Sequence, residues 1–132
     1  MSNLTNPELK DCIQTCWECR DTCQSTLYNH CLPHGGEHVE EAHVKLMTDC
    51  IQICQTAADF MTRSSEQHAA VCAACAEICD ACAESCEAMD DEHMKRCAEV
   101  CRACADSCRD MSRMHGAMAR QSEAIRPNTP PA

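Results

Sequence analysis

The chain has 132 residues, enough for one domain and too few for two independent cores. Leu, Ile, Val and Phe together number 15, about 11% of the chain, against a formal charge of −10, a pairing that ordinarily marks disorder. Cys (16), Ala (18) and Met (8) supply most of the apolar count, so any core is lined by sulfur and methyl groups. Three Gly and one each of Trp, Tyr and Phe argue against a β-sandwich or barrel. No apolar run approaches the length of a transmembrane helix, no signal peptide is visible, and the acidic balance disfavours nucleic acid and anionic membrane as partners.

Helical punctuation begins at Asn6-Pro7-Glu8, an N-cap followed by Pro in the first turn and an acid near the positive end of the dipole. The first helix is expected over 7–31, with a break at Pro33-His34-Gly35-Gly36. The second is expected over 37–63. Ser64-Ser65-Glu66 can cap a third over 66–88, and Asp90-Asp91-Glu92 a fourth over 91–121. Short connections force antiparallel neighbours. The expected fold is all-α, an antiparallel up-down-up-down four-helix bundle with a Cys-lined core, one domain over 1–125. Residues 126–132 hold three Pro and read as a disordered tail.

The cysteines carry the strongest signal. Cys12, Cys16, Cys19 and Cys23 step by four, three and four. Cys72, Cys75, Cys79, Cys82 and Cys86 alternate three and four, and Cys97, Cys101, Cys104 and Cys108 repeat four, three, four. Such steps put all the thiols of a segment on one helical stripe. Extended in the same register, the first stripe reads from Leu9 through Thr26 to His30. The second reads His43, Met47, Cys50, Cys54, Ala57 and Met61. The third runs from His68 to Met89, and the fourth from Met94 through Met111 and His115 to Met118. Disulfide-rich secreted domains show no such register.

One or two Cys in a bundle seam are simply small hydrophobes. This many point to metal. Soft thiolates select Cu(I), Zn²⁺ or iron–sulfur clusters. Four thiolates on Zn²⁺ leave a buried net charge of −2, which costs several kcal/mol even after relaxation, whereas each thiol that exchanges its proton for Cu⁺ stays neutral. Iron–sulfur loop spacings are absent, and no Cys is followed by Pro. Copper is favoured on charge and coordination number.

Thioether and imidazole also suit copper. One end of the bundle is expected to gather Thr26, His30, Cys31, His43, Met47, Met89, His93 and Met94. The other gathers Leu9, Ala57, Phe60, Met61, His68, Met111, His115 and Met118. The candidate metal ligands are Cys12, Cys16, Cys19, Cys23, Cys31, Cys50, Cys54, Cys72, Cys75, Cys79, Cys82, Cys86, Cys97, Cys101, Cys104 and Cys108, with His30, His43, Met47, Met89, His93 and Met94. His34 and His38, in or beside a loop, are expected to face solvent. Trp17 packs either at a subunit interface or over its own core.

The blocks Cys12-Ile-Gln-Thr-Cys-Trp-Glu-Cys-Arg-Asp-Thr-Cys23, Asp49-Cys-Ile-Gln-Ile-Cys54, Cys75-Ala-Glu-Ile-Cys-Asp-Ala-Cys-Ala-Glu-Ser-Cys86 and Cys97-Ala-Glu-Val-Cys-Arg-Ala-Cys-Ala-Asp-Ser-Cys108 resemble the bacterial copper storage proteins. The likeness covers about residues 7–115. It implies a four-helix bundle whose core holds many Cu(I) ions, a homotetramer and, without a signal, a cytoplasmic location. His43, Thr26, His30 and Met94 depart from it, at stripe positions where cytosolic members can carry Cys.

The resulting expectation is a non-enzymatic Cu(I) store and detoxifier whose partners are copper ions and a copper donor or acceptor protein. The alternatives are a zinc or general soft-metal buffer and a thiol redox reservoir. The metal-free chain is expected to be helical already, because reduced thiols pack and Ala-rich helices form readily.

Overall fold

The computed structural model describes residues 6–124, with side chains as far as His115. The expected tail at 126–132 and the side chain of Met118 lie outside the described residues.

Helix α1 spans Pro7–Thr26, α2 Glu41–Thr62, α3 His68–Glu87 and α4 Glu92–Ala124. Each packs on its neighbours in sequence, and α1 closes the bundle against α4. This is the expected up-down-up-down arrangement. Asn6 caps α1, its side-chain oxygen accepting the Glu8 N–H at 2.9 Å. Asp91 does the same for α4, accepting the Met94 N–H at 2.9 Å.

Two boundaries differ from expectation. Ser64 does not cap α3; it ends α2. Its φ of 53° places it in the left-handed region, where Ser64 N–H bonds Met61 O and Ser65 N–H bonds Phe60 O. With Ser64 so used, α3 starts at His68, and Ser65 Oγ accepts the Gln67 N–H instead. On the other side of α2, residues Gly36–Val39 form a tight 3₁₀ turn before the helix starts at Glu41.

The larger departure lies after α1. The chain does not break at Pro33. It continues through a π turn, Leu27–Cys31, and a last helical turn, Leu32–His34, before Gly35 ends it. Proline lacks an N–H, and its ring collides with the carbonyl four residues back. The π turn, closed by the Leu32 N–H on Leu27 O, widens the backbone at that carbonyl and lets the helix pass the ring. It also adds one residue to the turn. The buried stripe therefore advances from Cys23 to Leu27 and Cys31, not to Thr26 and His30, which lie on the flank. Gly35 then takes φ 74°, ψ −159°, a conformation open to glycine alone.

The remaining stripes face inward as read. All sixteen cysteines are buried, along with Met47, Met61, Met94 and Ala57. Ala58, Ala76, Ala83, Ala98 and Ala105 are buried beside them and, having no side chain past Cβ, let the helices approach. Branched side chains flank the sulfur seam: Ile13, Val44, Ile51, Ile53, Val71, Ile78 and Val100 are half-buried against it, as is Trp17. On the surface, Arg102 reaches Asp80 and Glu87, and Arg109 reaches Asp80, joining α3 to α4. Pairs this exposed contribute about 0–1 kcal/mol each; the bundle rests on its apolar seam. Among the described residues no helix is long and apolar enough to cross a membrane.

Candidate metal site

The four stripes meet in a continuous sulfur tube. Near one end Cys108 Sγ lies 3.8 Å from Cys12 Sγ and 3.5 Å from Cys16 Sγ. In the middle, Cys54 approaches Cys79 at 3.6 Å, Cys75 at 3.9 Å and Cys104 at 3.9 Å. Further along, Cys23 approaches Cys101 at 3.5 Å, Cys97 at 3.7 Å and Cys50 at 3.8 Å. For a metal–sulfur bond of about 2.3 Å, tetrahedral ligands lie about 3.8 Å apart and trigonal ligands about 4.0 Å apart. These thiols thus close on an ion with little movement.

The grouping is more telling than the distances. Four sets of four thiols each fall within 4.8 Å: Cys16, Cys75, Cys104 and Cys108; Cys54, Cys75, Cys79 and Cys104; Cys19, Cys50, Cys54 and Cys79; and Cys19, Cys23, Cys50 and Cys101. They overlap. Cys19, Cys50, Cys54, Cys75, Cys79 and Cys104 each belong to two sets, so no more than two of the four can be filled as closed, separate tetrahedra. An array in which most sulfurs are shared suits ions bridged by common thiolates.

Among the described residues no Lys or Arg is buried beside the thiols to hold thiolates charged. Around Cys31, burial first and then Cys97, Asp91 and Cys82 push the thiol up to about 11. Deeper in, S–H groups donate to one another: Cys101, Cys19 and Cys23 push Cys50 down, while Cys101, Cys19 and Cys50 hold Cys23 up. A metal ion entering such a chain displaces protons that are already shared.

At the α2 start and α4 start the donors change. Cys31 Sγ lies 3.6 Å from Met94 Sδ and 3.7 Å from His43 Nε2. His43 Nδ1 is 2.8 Å from Ser85 Oγ, which fixes the ring and turns Nε2 towards the sulfur. Burial pushes the imidazole pKa down, which disfavours the charged form beside the sulfur. Met47 and Met89 are buried at the same end. His30 and His93 stand outside this group, ring against ring with centroids 4.4 Å apart.

One expectation fails here. His34 is exposed, but His38 is 4% exposed, and its Nε2 lies 2.7 Å from Asp91 Oδ2. The compact Gly36–Val39 turn folds His38 inward; nothing in the residue pattern signals that. Asp91 was legible only as a cap. Burial opposes its charge, but the Met94 N–H and the imidazoles of His38 and His30 outweigh it and hold the carboxyl well below the usual range.

At the opposite end His68 and His115 meet, Nε2 to Nδ1 at 2.7 Å, beneath buried Leu9, Met61 and Met111.

The copper storage protein family matches residues 5–113 of this sequence. The chain belongs to that family. Among solved structures, it is similar to the Nmul_A1745 protein of Nitrosospira multiformis, with 47% identity over 83% of this chain and 99% of that one, and a TM-score of 0.79. It is also similar to the Cu(I)-bound copper storage protein BsCsp3, at 32% identity over 80% and 98% of the two chains, TM-score 0.75. The apo form of copper storage protein 3 from Bacillus subtilis matches at 31% identity over 78% and 97%, TM-score 0.70. No curated protein matches the chain. As a copper storage family member it is a binding protein and not an enzyme.

Proposed function

We propose that this chain is a cytoplasmic Cu(I) store that holds many cuprous ions on bridging core thiolates and so protects against copper toxicity. The observation that carries this reading is the overlap of the four-thiol sets, which shares sulfurs among sites and disfavours separate Zn²⁺ tetrahedra. Charge supports it as well. Each Cu⁺ replaces one proton, so a filled tube stays neutral in a medium where unpaired charge is costly.

All sixteen cysteines serve as ligands in this proposal, with His43, Met47 and Met94 around Cys31 as the mouth and Met89, His30 and His93 on its rim. Ions are captured there by donors weaker than thiolate, passed to Cys31, and exchanged inward. A copper donor or acceptor protein meets the same end. The proposal extends to a homotetramer, for which light scattering of the apo-protein should return four chain masses.

The deciding experiment is an anaerobic Cu(I) titration of the reduced protein against a competing chelator. Saturation is expected at roughly one ion per cysteine, with about one proton released per ion. Saturation at about four ions per chain or fewer would instead indicate closed tetrahedral sites and a zinc-type buffer.

A further inference from the structure

Outside the sulfur tube, three ligand-type side chains from three separate segments converge on the rim of the mouth. His30 comes from the π turn, His38 from the 3₁₀ turn, and Asp91 from the cap of α4. Asp91 Oδ2 lies 2.7 Å from His38 Nε2, and Oδ1 lies 3.2 Å from His30 Nε2. One donor atom of each falls within 4.8 Å of the other two. The His38 side chain is 5% exposed, and the other two are largely covered, at 20% for His30 and 26% for Asp91.

Hydrogen bonding accounts for only part of this group, since His38 Nε2 and the Met94 N–H engage Asp91 while other ring nitrogens are left over. Asp91 Oδ1 already accepts the Met94 N–H, and among the described residues neither the buried His30 Nε2, only in ion-pair range of that same oxygen, nor His38 Nδ1 has a hydrogen-bond partner. A buried polar atom left in that state keeps its full desolvation penalty. As a capping arrangement the cluster is over-built: Asp91 alone caps α4, and neither imidazole is needed for it.

We propose that His30, His38 and Asp91 form a separate site for a borderline divalent transition-metal ion, of which Zn²⁺ is the natural probe. Two imidazole nitrogens and one carboxylate are harder donors than thiolates, and they match divalent first-row ions better than Cu⁺. The set supplies three protein ligands and leaves a coordination position open. His34 and His93 stand at its edge, their rings 4.0 Å from His38 and 4.4 Å from His30 between centroids. Binding gives His30 Nε2 its missing partner. For His38 to coordinate through Nε2, the proton that nitrogen shares with Asp91 Oδ2 moves to Nδ1 of the ring or leaves to solvent, and the ion takes its place between ring and carboxylate. The bound ion ties the first inter-helix connection to the start of α4, beside the thiol, thioether and imidazole of the mouth.

The site stands independently of what the thiols hold, and its test reads the imidazoles directly. The reduced full-length chain is titrated anaerobically with Zn²⁺ beyond the capacity of the thiols while two-bond ¹H–¹⁵N spectra of the histidine rings are recorded. One nitrogen each of His30 and His38 is expected to move to the metal-bound range, with His68 and His115 unmoved. Asp91→Asn keeps an oxygen for the Met94 N–H, and His38→Gln keeps a donor towards Asp91, so both variants should fold. Each should weaken zinc at His30 by about tenfold or more. Rings that stay unmoved with zinc in excess overturn the proposal, as does a His30 shift that persists at full affinity in both variants. Cu(I) capacity of the same variants, read separately, tests the storage reading and is expected to be unchanged.

Discussion

At one end of the bundle Leu9, Met61 and Met111 are buried in the same core as Cys12, Cys72 and Cys108, and the imidazoles there are fully engaged. His68 Nδ1 reaches Ser65 O at 2.6 Å, its Nε2 meets His115 Nδ1 at 2.7 Å, and His115 Nε2 faces Glu8 at 3.5 Å. At the other end His43 Nε2 points at Cys31 Sγ, and among the described residues His30 Nε2 has no hydrogen-bond partner. Both ends hold His and Met, so composition does not distinguish them. What differs is where the lone pairs go. A ring with both nitrogens bonded to protein is a strut, and a ring with one nitrogen open beside a thiol is a metal ligand in waiting.

The largest expected effect tests whether the first end is a packed plug. Met61 is fully buried, so Met61→Ala should destabilise the reduced apo-protein by about 2–5 kcal/mol through lost burial and a residual cavity. Urea unfolding measures it, and a loss well below that range would mean the end is open.

Next comes the mouth. His43→Ala with Met47→Ala and Met94→Ala should slow Cu(I) loading from a chelated donor by about tenfold or more, a barrier change of about 1.4 kcal/mol. Final stoichiometry should barely change, because the thiols remain. Met111→Ala with His115→Ala should leave the rate alone. The opposite result would put the mouth at the other end.

Acid and alkali should separate the ends further. The Asp91 carboxyl is held below its unfolded value, so its contribution is present above the ordinary carboxylate range and is lost as pH falls through the folded value. Asp91→Asn should therefore flatten the acid limb of a stability–pH curve. Cys31 runs the other way. Its thiol is raised from 9.0 to about 11, so the neutral form stabilises the fold below 9.0 and this is lost as pH climbs through about 11. Cys31→Ala should flatten that alkaline limb.

The smallest effect concerns the π turn. Pro33→Ala removes the ring collision and lets the turn relax to α-helix, rotating Cys31 off the seam. A thiol reagent should then find one cysteine reacting several-fold faster, on the order of the change expected when a local opening costs about 1 kcal/mol less.

Most of the candidate site was legible in advance because α-helix and three-four spacing are the same periodicity. Fifteen of the sixteen cysteines lie on stripes that could be drawn without coordinates, and their burial follows. Cys31 did not fit, and that misfit was the signal. A Cys eight residues beyond Cys23, followed by Pro33, is in register only if the helix gains a residue between them. Thr26 and His30 fall off the buried stripe for the same reason. His38 offered no such clue, since its burial depends on how a short turn folds against α4.

The alternating steps, the capping residues and the charge balance by themselves determined an all-helical chain, four inward stripes and a core of thiols, because each depends only on neighbours within a turn or two. Tertiary structure alone decided which thiols share a set, that Ser85 turns His43 towards Cys31, and that His30, His38 and Asp91 meet. Those are contacts between segments far apart in the chain. Their geometry depends on how α1, α2 and α4 sit against one another, a quantity that no local periodicity encodes.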